Sequence, residues 1–316
     1  MKTYIFGHLK PDTDAVVSAM ALEYLHNHSS ENNPAHENSQ AVIIGDLNPE
    51  TSFIFEKLGI EKPQIISAKD IKPEDQIILV DHNEESQRLE GINQDQIVSI
   101  VDHHKANINL NQPVCLIFRP WGSTSTVIYH MMKIKGVTPD RTIASLMLSA
   151  ILSDTVGFKS ATTTMKDEQF GKELAEIAQI TDIEAFTLEI FKAKSDVSKL
   201  SDEQIVTNDY KIFDFAGKKV LIDQLETVEQ SVILSDKKES LLKAMESVKS
   251  DQGVDYIFVA ITDILKVNTK LLILDEESGE VASKAFGGTV ENNILDIGPK
   301  MSRKKEIAPA IEKALS

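Results

Sequence analysis

The sequence predicts an α/β protein with an N-terminal parallel sheet flanked by helices and a smaller C-terminal α/β domain. In the first half, short apolar runs alternate with amphipathic helical stretches, which is typical of a parallel sheet covered by helices on both faces. The length of 316 residues fits two domains, at roughly 100–200 residues per domain. Each domain is therefore long enough to bury its own core.

The strands of the first domain are predicted from short runs that are continuously apolar and rich in β-branched residues, as in strands buried on both faces. These runs cover residues 3–6, 41–44, 76–80 and 96–101. Helical apolar spacing predicts helices over residues 15–26, 49–58, 124–135, 142–152 and 165–179. The polar stretch 27–40 is expected to be a surface loop. We place the first domain at residues 1–193.

A linker is predicted around residues 192–200, where the hydrophobic pattern gives way to small, charged and polar residues. Beyond it, apolar runs at 219–222, 256–262 and 271–275 predict strands, and helices are expected near 235–248 and at the C-terminus. The second domain is therefore placed at residues 198–316.

The composition argues against two classes of protein. Lys and Arg number 33 and Asp and Glu number 49, so the formal net charge is −16, and the chain has one Trp. A general nucleic-acid-binding protein needs basic surface and stacking aromatic rings, so nucleic acid is not an expected partner. The sequence has no run of about 18 uncharged apolar residues, so no membrane span is expected either.

Cysteine usage indicates the compartment. Cys115 is the only cysteine, so no disulfide can form within the chain, and a reducing, cytoplasmic location is expected. The residue lies in the apolar run PVCLIF. We therefore predict that Cys115 is a small buried hydrophobic side chain and not a reactive thiol.

The first chemically informative segment follows the first predicted strand and reads GHLKPDTDA. It contains His8, Asp12 and Asp14, and Pro11 prevents these three from forming one helical stripe. One carboxylate before a helix is usually an N-cap, but a helix start needs only one cap. Two carboxylates and an imidazole lie within seven residues here, so metal binding is an open alternative to a simple N-cap.

Three further apolar runs end on acidic residues. The run 76–80 leads into Asp81, and the run 96–101 leads into Asp102, His103 and His104. In a parallel sheet all carboxyl ends lie along one edge, so these side chains are expected to converge. The helix predicted at 142–152 leads into Asp154, where the negative end of the helix dipole disfavours a carboxylate by about 0.3–1 kcal/mol unless a cation lies nearby.

The convergent groups predict a site for two divalent cations. At least four carboxylates in one crevice would repel each other unless cations neutralised them, and one divalent ion would leave the site negative. Carboxylate and imidazole ligands without a thiolate suit Mn²⁺, Mg²⁺ or Co²⁺ better than structural zinc. Two such ions can activate a water and polarise a phosphoryl group, so phosphoryl hydrolysis is the predicted chemistry.

The segments GHLKPDTDA, VDHN, VDHH and LSDT, in this order, resemble the DHH phosphoesterase superfamily. The second half is similar to family II (manganese-dependent) inorganic pyrophosphatases, which carry a basic SRKKQ-like segment near the C-terminus. Here residues 302–306 read SRKKE, so only the last position departs from that pattern. The resemblance covers nearly the whole chain and implies a DHH-type first domain and a DHHA2-type second domain with the active site in the cleft between them.

The resemblance also implies roles for individual residues. His8, Asp12 and Asp81 resemble the ligands of one metal ion. The residues that resemble the ligands of the second are Asp14, Asp81, His103 and Asp154, so that Asp81 is shared. His104 resembles a residue that contacts the substrate and stabilises or protonates the leaving phosphate. Asp102 is expected to orient the neighbouring imidazoles. Asp81 and His104 are thus the residues expected to act in catalysis.

The basic residues Lys211, Arg303 and Lys304 resemble the positions that bind phosphate in the family. Arg303 can hold two oxygens as a fork, and Lys304 adds a point charge. The implied reaction is hydrolysis of pyrophosphate to two orthophosphates by a water or hydroxide that bridges two Mn²⁺ ions, with Co²⁺ or Mg²⁺ as possible substitutes. An additional Mg²⁺ bound with the substrate and a homodimer are also implied.

Two alternatives stay open at this stage. Another DHH-type phosphoesterase would act on short oligonucleotides, cyclic dinucleotides or polyphosphate, but such proteins usually carry a GGGH-type segment. Residues 286–291 read FGGTVE and have no His beside the glycines. A catalytically silent protein that senses metal or phosphate would lack at least one ligand, and every ligand position is filled here.

Overall fold

A computed structural model describes residues 1–29, 38–197 and 200–316 of the chain. Within these residues the chain divides into two compact units, Met1–Ala193 and Lys194–Ser316. Residues 30–37 of the expected surface loop and residues 198–199 of the expected linker lie outside the described part. No helix in the described part is long and apolar enough to cross a membrane.

The first unit is built on a parallel sheet. Its strands, in chain order, are β1 (Thr3–Phe6), β2 (Ser39–Ile43), β3 (Gln64–Ile65), β4 (Gln76–Val80), β5 (Ile97–Asp102) and β6 (Cys115–Phe118). They are arranged β3-β2-β1-β4-β5-β6, and every pairing is parallel. The strands β1, β4 and β5 are therefore neighbours, and their carboxyl ends lie together at one edge of the sheet.

Both faces of this sheet are buried. The helices of the unit are α1 (Thr13–His28), α2 (Pro49–Leu58), α3 (Thr124–Ile134), α4 (Arg141–Asp154), α5 (Met165–Ala178) and α6 (Ile183–Lys194). Ile5 and Val80 pack against the helical side with Leu22 and Leu148, whereas Phe6 belongs to a second apolar cluster that includes Leu79 and Ile100. Burial on both faces explains why the strand sequences are continuously apolar and do not alternate.

The second unit has a mixed sheet of β7 (Tyr210–Phe215), β8 (Lys218–Thr227), β9 (Tyr256–Asp263), β10 (Asn268–Ile273) and β11 (Ile294–Gly298). The order is β11-β10-β9-β8-β7, in which only the β8–β9 pair is parallel. Its helices are α7 (Asp202–Ile205), α8 (Gln230–Asp236), α9 (Lys238–Gln252), α10 (Glu276–Phe286) and α11 (Ala308–Leu315). A π-helical turn, Arg303–Ile307, directly precedes α11.

Several local predictions differ from the structure. Cys115 was expected to be buried but is exposed, because β6 lies at the edge of the sheet and its side chains are only partly covered. The strand expected at 271–275 ends at Ile273, because Asp275 is the N-cap of α10 and accepts a hydrogen bond from the N–H of Ser278 at 2.8 Å. The single helix expected near 235–248 is two helices, α8 and α9.

Candidate metal centre and phosphate-binding residues

The loop after β1 and the first turn of α1 place Asp12 and Asp14 at the carboxyl edge of the sheet. Asp12 is the N-cap of α1 and accepts a hydrogen bond from the N–H of Ala15 at 3.0 Å. A Cβ atom on Gly7 would lie 2.5 Å from the Cβ atom of Ala15, so only glycine lets the helix start this close to the strand. The helix therefore begins directly beside the strand end, and the buried side chain of Asp14 lies in its first turn.

The carboxylate of Asp14 is surrounded by donors at the N-terminus of α3. Oδ1 accepts hydrogen bonds from the hydroxyls of Ser18 (3.1 Å), Ser123 (2.8 Å) and Ser125 (2.6 Å) and from the N–H of Ser125 (3.0 Å). Oδ2 accepts from the N–H of Thr124 at 2.6 Å. The positive end of the helix dipole and these donors compensate for the loss of water around the buried charge.

Asp81 directly follows β4 and has a left-handed backbone with φ of 59°. This conformation costs a residue with a side chain roughly 1–2 kcal/mol, and strain of this kind is concentrated at functional sites. Its N–H donates to the carbonyl of Val101 at 3.0 Å, and its Oδ1 accepts from the hydroxyl of Thr124 at 2.9 Å. Burial and the nearby carboxylates of Asp14 and Asp12 raise the pKa of Asp81 well above its usual range.

His8 and His103 both direct Nε2 at carboxylate oxygens. His8 Nε2 lies 3.5 Å from Asp12 Oδ2 and 3.6 Å from Asp81 Oδ2. His103 Nε2 lies 3.4 Å from Asp81 Oδ1 and 3.9 Å from Asp154 Oδ2. The two rings therefore face the shared carboxylate of Asp81 from different sides of the cluster.

The opposite nitrogen of each ring is fixed by the backbone. Nδ1 of His8 donates to the carbonyl of Leu9 at 2.8 Å, and Nδ1 of His103 donates to the carbonyl of Trp121 at 2.9 Å. A carbonyl can only accept, so Nδ1 carries a proton and a neutral ring presents the Nε2 lone pair, as metal ligands do. Although burial opposes a charge on His8, its hydrogen bond to Asp12 raises the pKa of the imidazole.

Asp154 is the last residue of α4 and completes the acidic cluster. It is followed by Val156, Gly157 and Phe158, which all have left-handed backbones, so the chain turns sharply after the helix. Burial and the carboxylates of Asp14 and Asp81 raise the pKa of Asp154 well above its usual range. The cluster thus holds carboxyl groups that resist losing their protons in the absence of a cation.

The structure brings the predicted ligands together in overlapping sets whose donor atoms lie within 4.8 Å of one another. One set is His8, Asp12 and Asp81; another is Asp14, Asp81, His103 and Asp154; a third is Asp81, His103 and His104. Asp81 belongs to all three. The donor set of oxygens and imidazole nitrogens, with no thiolate, fits Mn²⁺ or a similar divalent cation.

His104 is held differently from His103. Its side chain is 54% exposed, and Nδ1 donates to Asp102 Oδ1 at 2.9 Å. Asp102 Oδ1 also accepts from the N–H groups of His103 and His104, and Oδ2 accepts from Asn83 Nδ2 at 2.6 Å. Although burial opposes its charge, the hydrogen bonds from His104 and Asn83 lower the pKa of Asp102. Asp102 therefore stays ionised and orients the ring of His104.

The predicted phosphate-binding residues lie in the second unit. Lys211 is exposed on β7, with Nζ 5.3 Å from the ring centroid of Phe213. Arg303 is buried in the π-helical turn, and Lys304 beside it is exposed. Glu306, the departure from the SRKKQ pattern, accepts hydrogen bonds from two backbone N–H groups, those of residues 301 and 302, both at 3.0 Å. The carboxylate thus closes the turn that presents the basic residues.

Sequence reasoning missed several residues that support the acidic cluster. Ser123 and Ser125 bind Asp14, and Thr124 binds Asp81, but in sequence they read only as the start of a helix. Asp167 is fully buried and accepts a hydrogen bond from the N–H of Gly122 at 2.9 Å, next to the carbonyl that orients His103. The Ser- and Thr-rich run 123–126 was the only local signal, and it does not reveal the distant partners.

Two family descriptions match the chain. The N-terminal domain of the DHH family matches residues 2–151, and the DHHA2 domain matches residues 188–314. The chain therefore carries a DHH N-terminal domain followed by a DHHA2 domain. A likeness in fold alone is seen with an exopolyphosphatase-related protein from Bacteroides fragilis, at 17% identity and a TM-score of 0.52 over 99% of this chain and 91% of the other.

Similarity over the full length narrows the class to one family. The manganese-dependent inorganic pyrophosphatase of Methanocaldococcus jannaschii is 41% identical, and the alignment covers 98% of each chain. A crystal structure from Methanococcus jannaschii, provisionally assigned as a family II inorganic pyrophosphatase, is 39% identical with a TM-score of 0.62 and covers 99% of both chains. This chain belongs to the family of manganese-dependent inorganic pyrophosphatases.

Proposed function

We propose that this protein hydrolyses inorganic pyrophosphate to two orthophosphates and that manganese is its metal cofactor. The observation that carries the proposal is the pair of ligand sets, His8–Asp12–Asp81 and Asp14–Asp81–His103–Asp154, which share one carboxylate. Full-length relatives named as manganese-dependent inorganic pyrophosphatases support the same reaction. The pyrophosphate substrate is itself anionic, which fits both the cations proposed for the first unit and the basic side chains of the second.

We propose that the two sets hold one cation each. When bound, a pair of divalent cations neutralises the clustered carboxylates, activates a water and polarises phosphoryl oxygens. The chain's own contribution is to fix the ligands: backbone carbonyls set the ring orientation of His8 and His103, and donors at the start of α3 fix Asp14. An additional Mg²⁺ bound with the substrate is part of this proposal.

His104 is proposed to protonate or stabilise the leaving phosphate. Its exposed ring can meet a ligand on the side away from Asp102, and the ionised Asp102 holds the ring through Nδ1. In carboxylate–imidazole pairs of this kind, the carboxylate fixes the orientation of the ring. No residue is required to form a covalent phosphoenzyme.

Lys211, Arg303 and Lys304 are proposed to bind the phosphate groups of the same substrate. Arg303 can donate hydrogen bonds from several N–H groups to phosphate oxygens, and the exposed Lys304 supplies a positive charge. Excluding bulk water around the substrate would strengthen these interactions. A homodimer and a cytoplasmic location remain predictions.

The test is phosphate release from pyrophosphate after chelation, followed by re-addition of Mn²⁺, Co²⁺ or Mg²⁺ separately. We expect the stripped protein to be inactive, Mn²⁺ to restore activity, and a short oligonucleotide to stay intact under the same conditions. An undiminished rate in the stripped protein would contradict the metal dependence. Faster cleavage of the oligonucleotide than of pyrophosphate would instead assign the protein to another DHH-type phosphoesterase.

A further inference from the structure

Arg303 is unusual among the proposed phosphate-binding residues because its guanidinium is buried. Its side chain is only 9% exposed, and Nη2 donates to Asp209 Oδ1 at 2.8 Å. Nε and Nη1 are buried and have no hydrogen-bond partner within the described part of the chain. A buried guanidinium with unused donors is costly unless an acceptor arrives, so these donors suit an anionic ligand.

Asp209 is itself held rigidly beside β8. Its N–H donates to Asp223 Oδ1 at 2.9 Å, and its carbonyl accepts from the N–H of Gln224 at 3.1 Å. With both backbone groups fixed, the carboxylate has few ways to move away from Arg303. An ion pair between an anchored carboxylate and a long side chain fixes the long side chain.

Gln224 connects the same strand to the turn that carries Arg303. Its Oε1 accepts from the N–H of Arg303 at 3.0 Å, and its Nε2 donates to the carbonyl of Met301 at 3.0 Å. The backbone of Arg303 is thus fixed by Gln224, and the far end of its side chain is fixed by Asp209. Within the described part of the chain, the Arg303 guanidinium donates a hydrogen bond to no residue other than Asp209.

We propose that Asp209 is a positioning residue that holds the guanidinium of Arg303 in place to receive the phosphate groups of pyrophosphate. The proposal rests on the proposed function, because it requires Arg303 to bind substrate. It assigns Asp209 no contact with the substrate. Buried Asp223, whose Oδ1 receives the N–H of Asp209, is the support on which Asp209 rests.

The test compares Asp209→Ala with Glu226→Gln, which removes one exposed carboxylate from β8 without touching Arg303. Binding of imidodiphosphate, a pyrophosphate analogue that resists hydrolysis, is measured by calorimetry, and KM and kcat are measured for pyrophosphate with Mn²⁺. We expect D209A to weaken analogue binding and raise KM by about tenfold, the size of one charged hydrogen bond. Mn²⁺ affinity should be unchanged in both variants.

A double-mutant cycle with Arg303→Ala tests whether Asp209 affects analogue binding through Arg303. If Asp209 acts through Arg303, adding D209A to R303A causes no further loss of analogue binding. An equal loss in both backgrounds, or D209A behaving like E226Q, would overturn the assignment of Asp209 alone. Wild-type protein that neither binds the analogue nor hydrolyses pyrophosphate would contradict the proposed function itself, and this inference with it.

Discussion

The two units bury charged groups of opposite sign that the surrounding residues compensate only in part. In the first, burial raises the pKa values of Asp81 and Asp154, and the neighbouring carboxylates raise them further. In the second, the buried cation Arg303 has donors without acceptors within the described residues and a single ion pair to Asp209. We therefore expect each region to be stabilised by a ligand of the opposite charge, a divalent cation in the first and an anion in the second.

The supports in the two regions also differ. Asp14 receives several neutral donors at a helix N-terminus, whereas Arg303 is held by one carboxylate that is itself 64% exposed. Solvent weakens a half-exposed ion pair, so the second arrangement is the easier one to disturb. We therefore expect substitutions in the acidic cluster to have larger effects than those in the basic turn.

The largest effect is expected for Asp81→Asn, because this residue belongs to every ligand set. We expect kcat for pyrophosphate with Mn²⁺ to fall by at least about 10³-fold, since both proposed cations lose a ligand. The control is Asp95→Asn, which removes an exposed carboxylate just before β5, at the opposite edge of the sheet. Comparable rates for D81N and wild type would rule out a shared ligand.

Although D81N is expected to lower kcat, it should raise the free energy of unfolding of the metal-free protein. The pKa of Asp81 is raised in the folded state, so the wild type loses stability as the pH rises through that folded-state value, and Asn avoids this loss. Chemical denaturation of chelated protein at pH 8 should show a higher free energy of unfolding for D81N than for the wild type. A less stable D81N would contradict the repulsion in the cluster.

His104→Gln should separate catalysis from metal binding. We expect kcat to fall by about 10²–10³-fold because the group that assists the leaving phosphate is lost. Calorimetry should find Mn²⁺ affinity nearly unchanged, since His104 is held by Asp102 and is not in the two proposed ligand sets. Equal losses of metal affinity and rate would show that His104 is a ligand.

Asp223 supports Asp209, the ion-pair partner of Arg303, and its role can be tested by measuring stability as a function of pH. Burial raises the pKa of Asp223 to about 7. A raised folded-state pKa means that its contribution to stability is fully present below about pH 4 and is lost as the pH rises to about 7. Asp223→Asn should therefore be more stable than wild type at pH 8, by up to about 4 kcal/mol, and no more stable at pH 4.

Urea denaturation at the two pH values provides the measurement for Asp223, and Glu226→Gln on the same strand is the matched control. The control is expected to follow the wild-type pH profile, because its carboxylate is exposed. A constant difference between D223N and wild type across this range would mean that Asp223 does not titrate there.

The smallest effect is expected for Lys304→Ala. Lys304 and Lys305 are adjacent and both exposed, so Lys305→Ala removes the same charge from the same turn. We expect K304A to raise KM for pyrophosphate by about tenfold and K305A to change it less than about twofold. Equal effects would indicate a general electrostatic attraction to the turn and no specific contact.

Much of the first unit follows from local sequence. Helix α2 spans Pro49–Leu58 as predicted, because Asn48 caps it, Pro begins it and Gly59 ends it in a left-handed conformation. The strands β1 and β4 also match their predicted bounds, since a buried parallel strand needs a short, continuously apolar run. The edge strand β6 was not predicted although its sequence CLIF is apolar, because a short apolar run does not by itself distinguish a strand from another buried segment. Its side chains are exposed or only partly covered because the strand lies at the edge of the sheet.

The sequence by itself determined which carboxylates and imidazoles can meet, because parallel strands must end at the same edge and their last residues are fixed by the chain. Only the tertiary structure decided what supports them. Asp14 lies 109 positions from Ser123, and Asp209 lies 94 positions from Arg303. Such partners are selected by the packing of whole elements, whereas the propensities that a sequence displays act over a few residues, so no local pattern could have named them.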